Sequence, residues 1–272
     1  MTGTWGRPDE GQATGTPMAE RLSAWAGARA APNALDAARV LEQVSGQRPE
    51  LTTKRSLVAV SHAIERAVLA APRAEPTIVL ALFQRMEYFE RERATYERIA
   101  RTGARVAIGF CDGPEHPLPD GVACVVLDPA ESLVNEWSVV AVTPEAGAFL
   151  VATDQHGIEP GAPSLEAGRR FRSRWGFSRV QATVELARLR LVLGERLPDD
   201  MVRTIDRLVG ETMSAGADPA SSAGSPQEVW ATSAAFHLAE RLSSARSGSA
   251  RLRAQLTDAH KAAAGHCRCA RS

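Results

Sequence analysis

The sequence has no excess charge of either sign. Its 272 residues carry 32 basic and 32 acidic side chains. A neutral chain exerts no overall pull on nucleic acid or on an anionic membrane, so neither is expected as a direct partner. Long apolar runs are also missing. No stretch of about 18 apolar residues occurs, so no transmembrane helix is expected. Met1 to Glu10 lacks the apolar core of an export signal. The four cysteines (Cys111, Cys124, Cys267 and Cys269) are therefore read as reduced thiols of a cytoplasmic protein. There is no glycine-rich phosphate loop, no paired-histidine metalloprotease motif and no internal repeat. Aromatic residues make up 5% of the chain, so each position carries weight.

Apolar residues make up 44% of the chain, enough for a real core. Residues 1–33 are expected to be disordered or weakly helical, the first 16 being rich in Gly, Thr and Pro. An α/β domain is expected over 34–195. It opens with a helix over 34–45 that spaces Leu35, Ala38, Leu41 and Val44 helically and ends at Gly46 and Pro49. A second helix, 56–70, carries Leu57, Val60, Ile64 and Val68. Thr77 to Phe83 is a continuous apolar run suited to a buried strand. One charged helix over 87–101 follows, with Phe89, Tyr96 and Ala100 on one side. Arg105–Phe110 completes a β-α-β unit, which implies parallel pairing.

Ala123–Leu127 is a third strand. Asn135–Val142 and Ala146–Asp154 are two more, and the short link between them favours an antiparallel hairpin. Gln155 to Ala167 reads as loop. The fold class is thus α/β: a mixed sheet of about five strands with flanking helices, plus an N-terminal helix and a C-terminal helical extension. Helix 179–193 closes the domain. Pro198 opens an extension over 196–213, a flexible linker covers 214–226, and further helices span 227–265. The 227–245 helix can dock on its own domain or on a partner, a second copy included.

The chemistry-bearing residues gather early. Lys54 and Arg55 precede the second helix, either as a solvated basic pair or as an anion site with the helix N-terminus. His62 and Glu65 lie one turn apart, where side chains meet, and form either a surface contact or a pH-sensitive, ligand-gripping pair. Gln84 follows a strand's carboxyl end, where α/β proteins tend to bind ligands. Tyr96 is expected to pack inward. Trp137 and Trp175 are core anchors or pocket walls. In the tail, His266, Cys267 and Cys269 make three soft ligands, one short of a closed zinc site. Cys111 with His116 lacks a third residue to orient the pair. No metal site and no catalytic residue is assigned.

The order Lys54-Arg55, Ser61-His62 with Glu65, Phe83-Gln84, Tyr96, Trp137, Trp175 resembles the DICT domain over roughly residues 35–190. DICT is a sensory module of bacterial signalling proteins, found with cyclic-di-GMP enzymes, histidine kinases and MerR-type regulators. The resemblance implies signal input, light- or metabolite-linked, by a non-enzymatic protein that binds a small molecule or a signalling protein. It names no cofactor. Lys54, Arg55, His62, Glu65, Gln84, Tyr96, Trp137 and Trp175 are the candidate ligand contacts. An enzyme using His62 and Glu65, or Cys111, is the main alternative. A transcription regulator is another, weakened by the neutral charge and the missing DNA-reading helix.

Overall fold

The computed structural model describes residues 48–70, 75–114, 116–158, 160, 164 and 168–215, with 227, 230, 231, 234, 235 and 238. The expected helix over 34–45, the N-terminal segment, the 214–226 linker and the 266–272 tail lie wholly or almost wholly outside them.

One seven-stranded mixed sheet organises the domain. Its strands are β1 (Glu50–Thr53), β2 (Ile78–Leu82), β3 (Arg105–Phe110), β4 (Val122–Val126), β5 (Glu136–Val142), β6 (Gly147–Ile158) and β7 (Arg169–Gly176). They lie in the order β1-β7-β6-β5-β2-β3-β4. β2, β3 and β4 pair in parallel and the rest antiparallel, the β5–β6 hairpin among them.

The α/β class holds, but the strand count of about five falls short by β1 and β7. The four residues of β1 pair Thr52 with Phe171 and Thr53 with Arg170. Four of the eight residues in β7 are arginines, which masks its pleat. One, Arg174, turns inward and bonds bidentately to Glu185, both distances 2.9 Å. β6 also runs into the expected loop. It bulges between Asp154 and Gly157, where the Asp154 carboxylate accepts the His156 N–H at 2.8 Å.

Among the described residues, the helices that cover the two faces include α1 (Lys54–Ala70), α2 (Met86–Glu90), α3 (Arg93–Arg101), α4 (Arg179–Leu193) and α5 (Asp199–Ala215). The single charged helix expected over 87–101 is two, broken at Arg91 and Glu92, and Phe89 from the first and Tyr96 from the second both pack against Phe83. β2 is buried throughout because it faces two cores. Ile78, Leu80 and Leu82 meet α4 and α5, while Val79, Ala81 and Phe83 meet α1, α2 and α3. In α1 the apolar stripe of Leu57, Val60, Ile64 and Val68 is buried as its spacing implies. Gly147 lets α4 approach the sheet, since a Cβ there would stand 2.9 Å from Ala182 Cβ.

A buried ionic network locks α4 to the strands. Arg188 bonds to both oxygens of Glu136 on β5 (2.6 and 3.0 Å) and to Glu185 (2.9 Å), which also receives Arg174. Trp230 is buried in the core on the α1 side, and the Gln227 side chain bonds to the backbone of Gly147 and Phe177. This part of the C-terminal segment docks on its own domain.

Candidate functional site

β1 runs straight into α1 with no loop between. Pairing Thr53 with Arg170 therefore sets Lys54 beside β7. The same face of α1 then presents Val58, Ser61 and His62. These residues wall a cavity of about 170 Å³. Phe83 and Gln84 from the end of β2, Trp137 from β5 and Phe171 from β7 complete its floor. Tyr88, Arg91 and Glu92 from α2 and the turn after it form the opposite side. Trp137 and Phe171 meet edge to face at 6.1 Å. The Trp137 indole N–H is buried and has no hydrogen-bond acceptor among the described residues.

Gln84 occupies left-handed backbone conformation, φ 61°, unusual for a residue with a side chain. The bend turns its carbonyl to the Cys111 N–H (3.1 Å) and thiol (2.9 Å). Its side-chain oxygen faces the Arg169 guanidinium at 3.4 Å. Arg169 also bonds to the Tyr88 hydroxyl (3.0 Å) and pairs with Asp154. Burial opposes ionisation of Asp154, but Arg169 and the His156 N–H hold its carboxyl below the usual range. The Lys54 ammonium lies 4.3 Å from the centre of the Tyr88 ring. Burial, and then the charges of Arg169 and Arg91, push Lys54 down to about 8.

The expected contact between His62 and Glu65 is replaced by another. His62 Nε2 lies 3.0 Å from Glu92 Oε1. Glu65, expected at the margin, is 2% exposed and turned inward. Its Oε1 accepts the Ser61 hydroxyl at 3.0 Å and the Tyr96 hydroxyl at 3.4 Å. Burial, and then the charge of Glu92, push Glu65 up to about 7, against the pull of His62 and the two hydroxyls. Burial and Glu65 raise the Tyr96 phenol in turn.

His62, Glu65 and Glu92 each bring a ligand-capable atom within 4.8 Å of the others. Ligands held at about 2.0 Å by one tetrahedral zinc stand only about 3.3 Å apart. His62 and Glu92 stand within that distance at 3.0 Å, while Ser61 and Tyr96 already donate to Glu65 Oε1.

Of the eight candidate residues, Lys54, His62, Gln84 and Trp137 line this cavity. Glu65 and Tyr96 form a buried layer behind Ser61 and His62. Arg55 is exposed and away from it. Trp175 is 40% exposed, stands edge to face with Phe177 at 6.5 Å, and lies outside the cavity. Glu92, Tyr88, Arg91 and Phe171 escaped the sequence reading. Tyr88 had one available signal, being one of two tyrosines in the chain.

A second, open cavity of about 420 Å³ gathers Arg85, Met86, Glu87, Glu90, Asp112 and His116. Cys111 lines neither cavity. No described helix is long and apolar enough to cross a membrane.

No curated protein and no solved structure matches this chain. A family model does, over residues 35–155: DICT, described as a sensory domain in diguanylate cyclases and two-component systems. The match takes in α1, the end of β2, Trp137 and the bulge at Asp154, and it stops short of β7. The segment that builds most of the cavity thus belongs to the DICT family of sensory domains, which points to a part in signal input.

Proposed function

We propose that this chain is a non-enzymatic sensory protein whose signal is a small molecule held in the cavity between α1 and the carboxyl end of β2. The observation that carries the reading is the cavity itself. It has apolar walls from Val58, Phe83, Trp137 and Phe171, with Lys54, His62 and Gln84 as polar fixtures, the usual build of a small-molecule site. It lies at a strand's carboxyl end, within a domain of a sensory family. The two sides of the cavity, α1 and the turn after α2, are tied by His62 and Glu92. A ligand that binds one setting of that pair better than another would shift α1 against the sheet.

A rival reading is an acid–base enzyme built on His62 and Glu65, and the Glu65 carboxyl at about 7 favours it. Glu65 does not line the cavity, however, and Ser61 and Tyr96 stand on its oxygen. The sensory reading accounts for the apolar walls, which the enzyme reading leaves idle. We place the protein in the bacterial cytoplasm, with a downstream signalling protein as its output partner.

Native mass spectrometry of the protein from its own host tests the proposal. A co-purifying small molecule that is lost from Val58→Trp, with the circular dichroism spectrum intact, is the expected result. A molecule retained by that variant places the ligand elsewhere. Turnover of the molecule by the wild type would establish the enzyme instead.

A further inference from the structure

We infer that the cavity selects a compact monocyclic aromatic acid, with its ring among Phe83, Trp137 and Phe171 and its carboxylate toward Lys54 and Arg91. This inference rests on the cavity reading above and adds the ligand's class. Size is the first argument. A cavity of about 170 Å³ is close to the roughly 150 Å³ that encloses one benzene ring. It lies well below the 300 Å³ or so where pockets for larger ligands begin, which favours a ligand whose buried part is a single ring.

Shape complementarity of the walls comes next. Trp137 and Phe171 stand edge to face, an arrangement that leaves aromatic faces and edges for a third ring.

Charge gives the polarity. The lining residues include two cations, Lys54 and Arg91, against one carboxylate, Glu92, which is engaged by His62. Asp154 is not in the lining, and Arg169 bonds to it from behind. At the Lys54 ammonium, Arg169 and Arg91 each act more strongly than Glu87 or Asp154, so the local field is positive. The buried Trp137 N–H adds a donor that has no acceptor among the described residues. Cations, a donor and a positive field favour a ligand that supplies acceptor oxygens and a negative charge. The low-dielectric walls strengthen that attraction.

The test is a ligand-observed NMR titration of the full chain at pH 7 with sodium benzoate, benzyl alcohol and benzylamine. We expect benzoate to bind at least about tenfold tighter than benzyl alcohol, and benzylamine to bind weakest. Lys54→Met and Arg91→Gln should each bring benzoate down toward the alcohol, while Val58→Trp should abolish both. Arg91 is exposed, so its variant decides the matter if Lys54→Met does not fold. Equal affinity for benzoate and benzyl alcohol, or tighter binding of benzylamine, overturns the aromatic acid and leaves the cavity as a site. Failure of all three probes to bind the wild type overturns both readings.

Discussion

His62 on α1 faces Glu92 in the turn between α2 and α3, with Nε2 and Oε1 3.0 Å apart. Thirty residues of chain separate the two, and their pairing leaves Glu65 to the interior. Glu92 then acts on Glu65 through space, second only to burial in raising its carboxyl. Glu92→Gln should lower the Glu65 midpoint from about 7, yet leave it above 4.5 because burial remains. Carbon-detected NMR of the glutamate carboxyls reads this directly, and an unmoved midpoint would break the link. The pair is partly exposed, so its loss should cost under about 1 kcal/mol of stability.

Glu65 itself makes stability depend on pH. Its folded value, about 7, is raised above the ordinary 4.5. Between those limits the folded protein holds a proton that the unfolded chain has released. The stabilisation is full below about 4.5 and is lost as pH rises through 7. The size is on the order of 3 kcal/mol. Urea unfolding at pH 5 and pH 8 should show this fall in wild type and a flatter profile in Glu65→Gln. Equal slopes in the two proteins would refute the assignment.

Lys54 offers a clean spectroscopic handle, because the chain has just two lysines, Lys54 and Lys261. In protein labelled with ¹⁵N-lysine, the Lys54 ammonium should titrate near 8, and its loss in Lys54→Met identifies the signal. Saturating benzoate should raise the Lys54 value, since a carboxylate favours the charged form. A Lys54 signal indifferent to benzoate would contradict the proposed orientation.

Arg188 tests the ionic network. Arg188→Met leaves Glu136 and Glu185 buried with fewer partners. Removing one member of such a group costs about 3–5 kcal/mol. Chemical denaturation gives the value, and a loss under about 1 kcal/mol would show that the network relaxes without strain.

Trp230 tests the C-terminal docking. The side chain is 1% exposed in the core on the α1 side, so Trp230→Ala should cost about 3–5 kcal/mol. A change below about 1 kcal/mol would mean that the segment does not seal this core in solution.

Periodicity made most elements legible before the structure. β2 reads as a buried strand because both of its faces are apolar, and α4 over Arg179–Leu193 has the bounds expected from the sequence. β7 stayed hidden because arginines at inward positions are acceptable only where a carboxylate waits, as Glu185 does for Arg174. The break between α2 and α3 was hidden for a related reason, since no Gly or Pro marks Arg91 and Glu92.

The cavity divides along the same line. Local order along one helix was enough to put Val58 and His62 on a common face, because a helix repeats every 3.6 residues wherever it lies; the structure starts that helix at Lys54, not at 56, and so adds Lys54 to the same face. It also made Gln84 the residue that ends the central strand. Which residues meet them across space depends on strand order, since β5, β7 and the turn after α2 reach the site from distant parts of the chain. Trp137 and Phe171, the choice of Glu92 over Glu65 as partner of His62, and the burial that lifts Glu65 to about 7 exist only once the sheet has closed, because each depends on neighbours that no sequence spacing specifies.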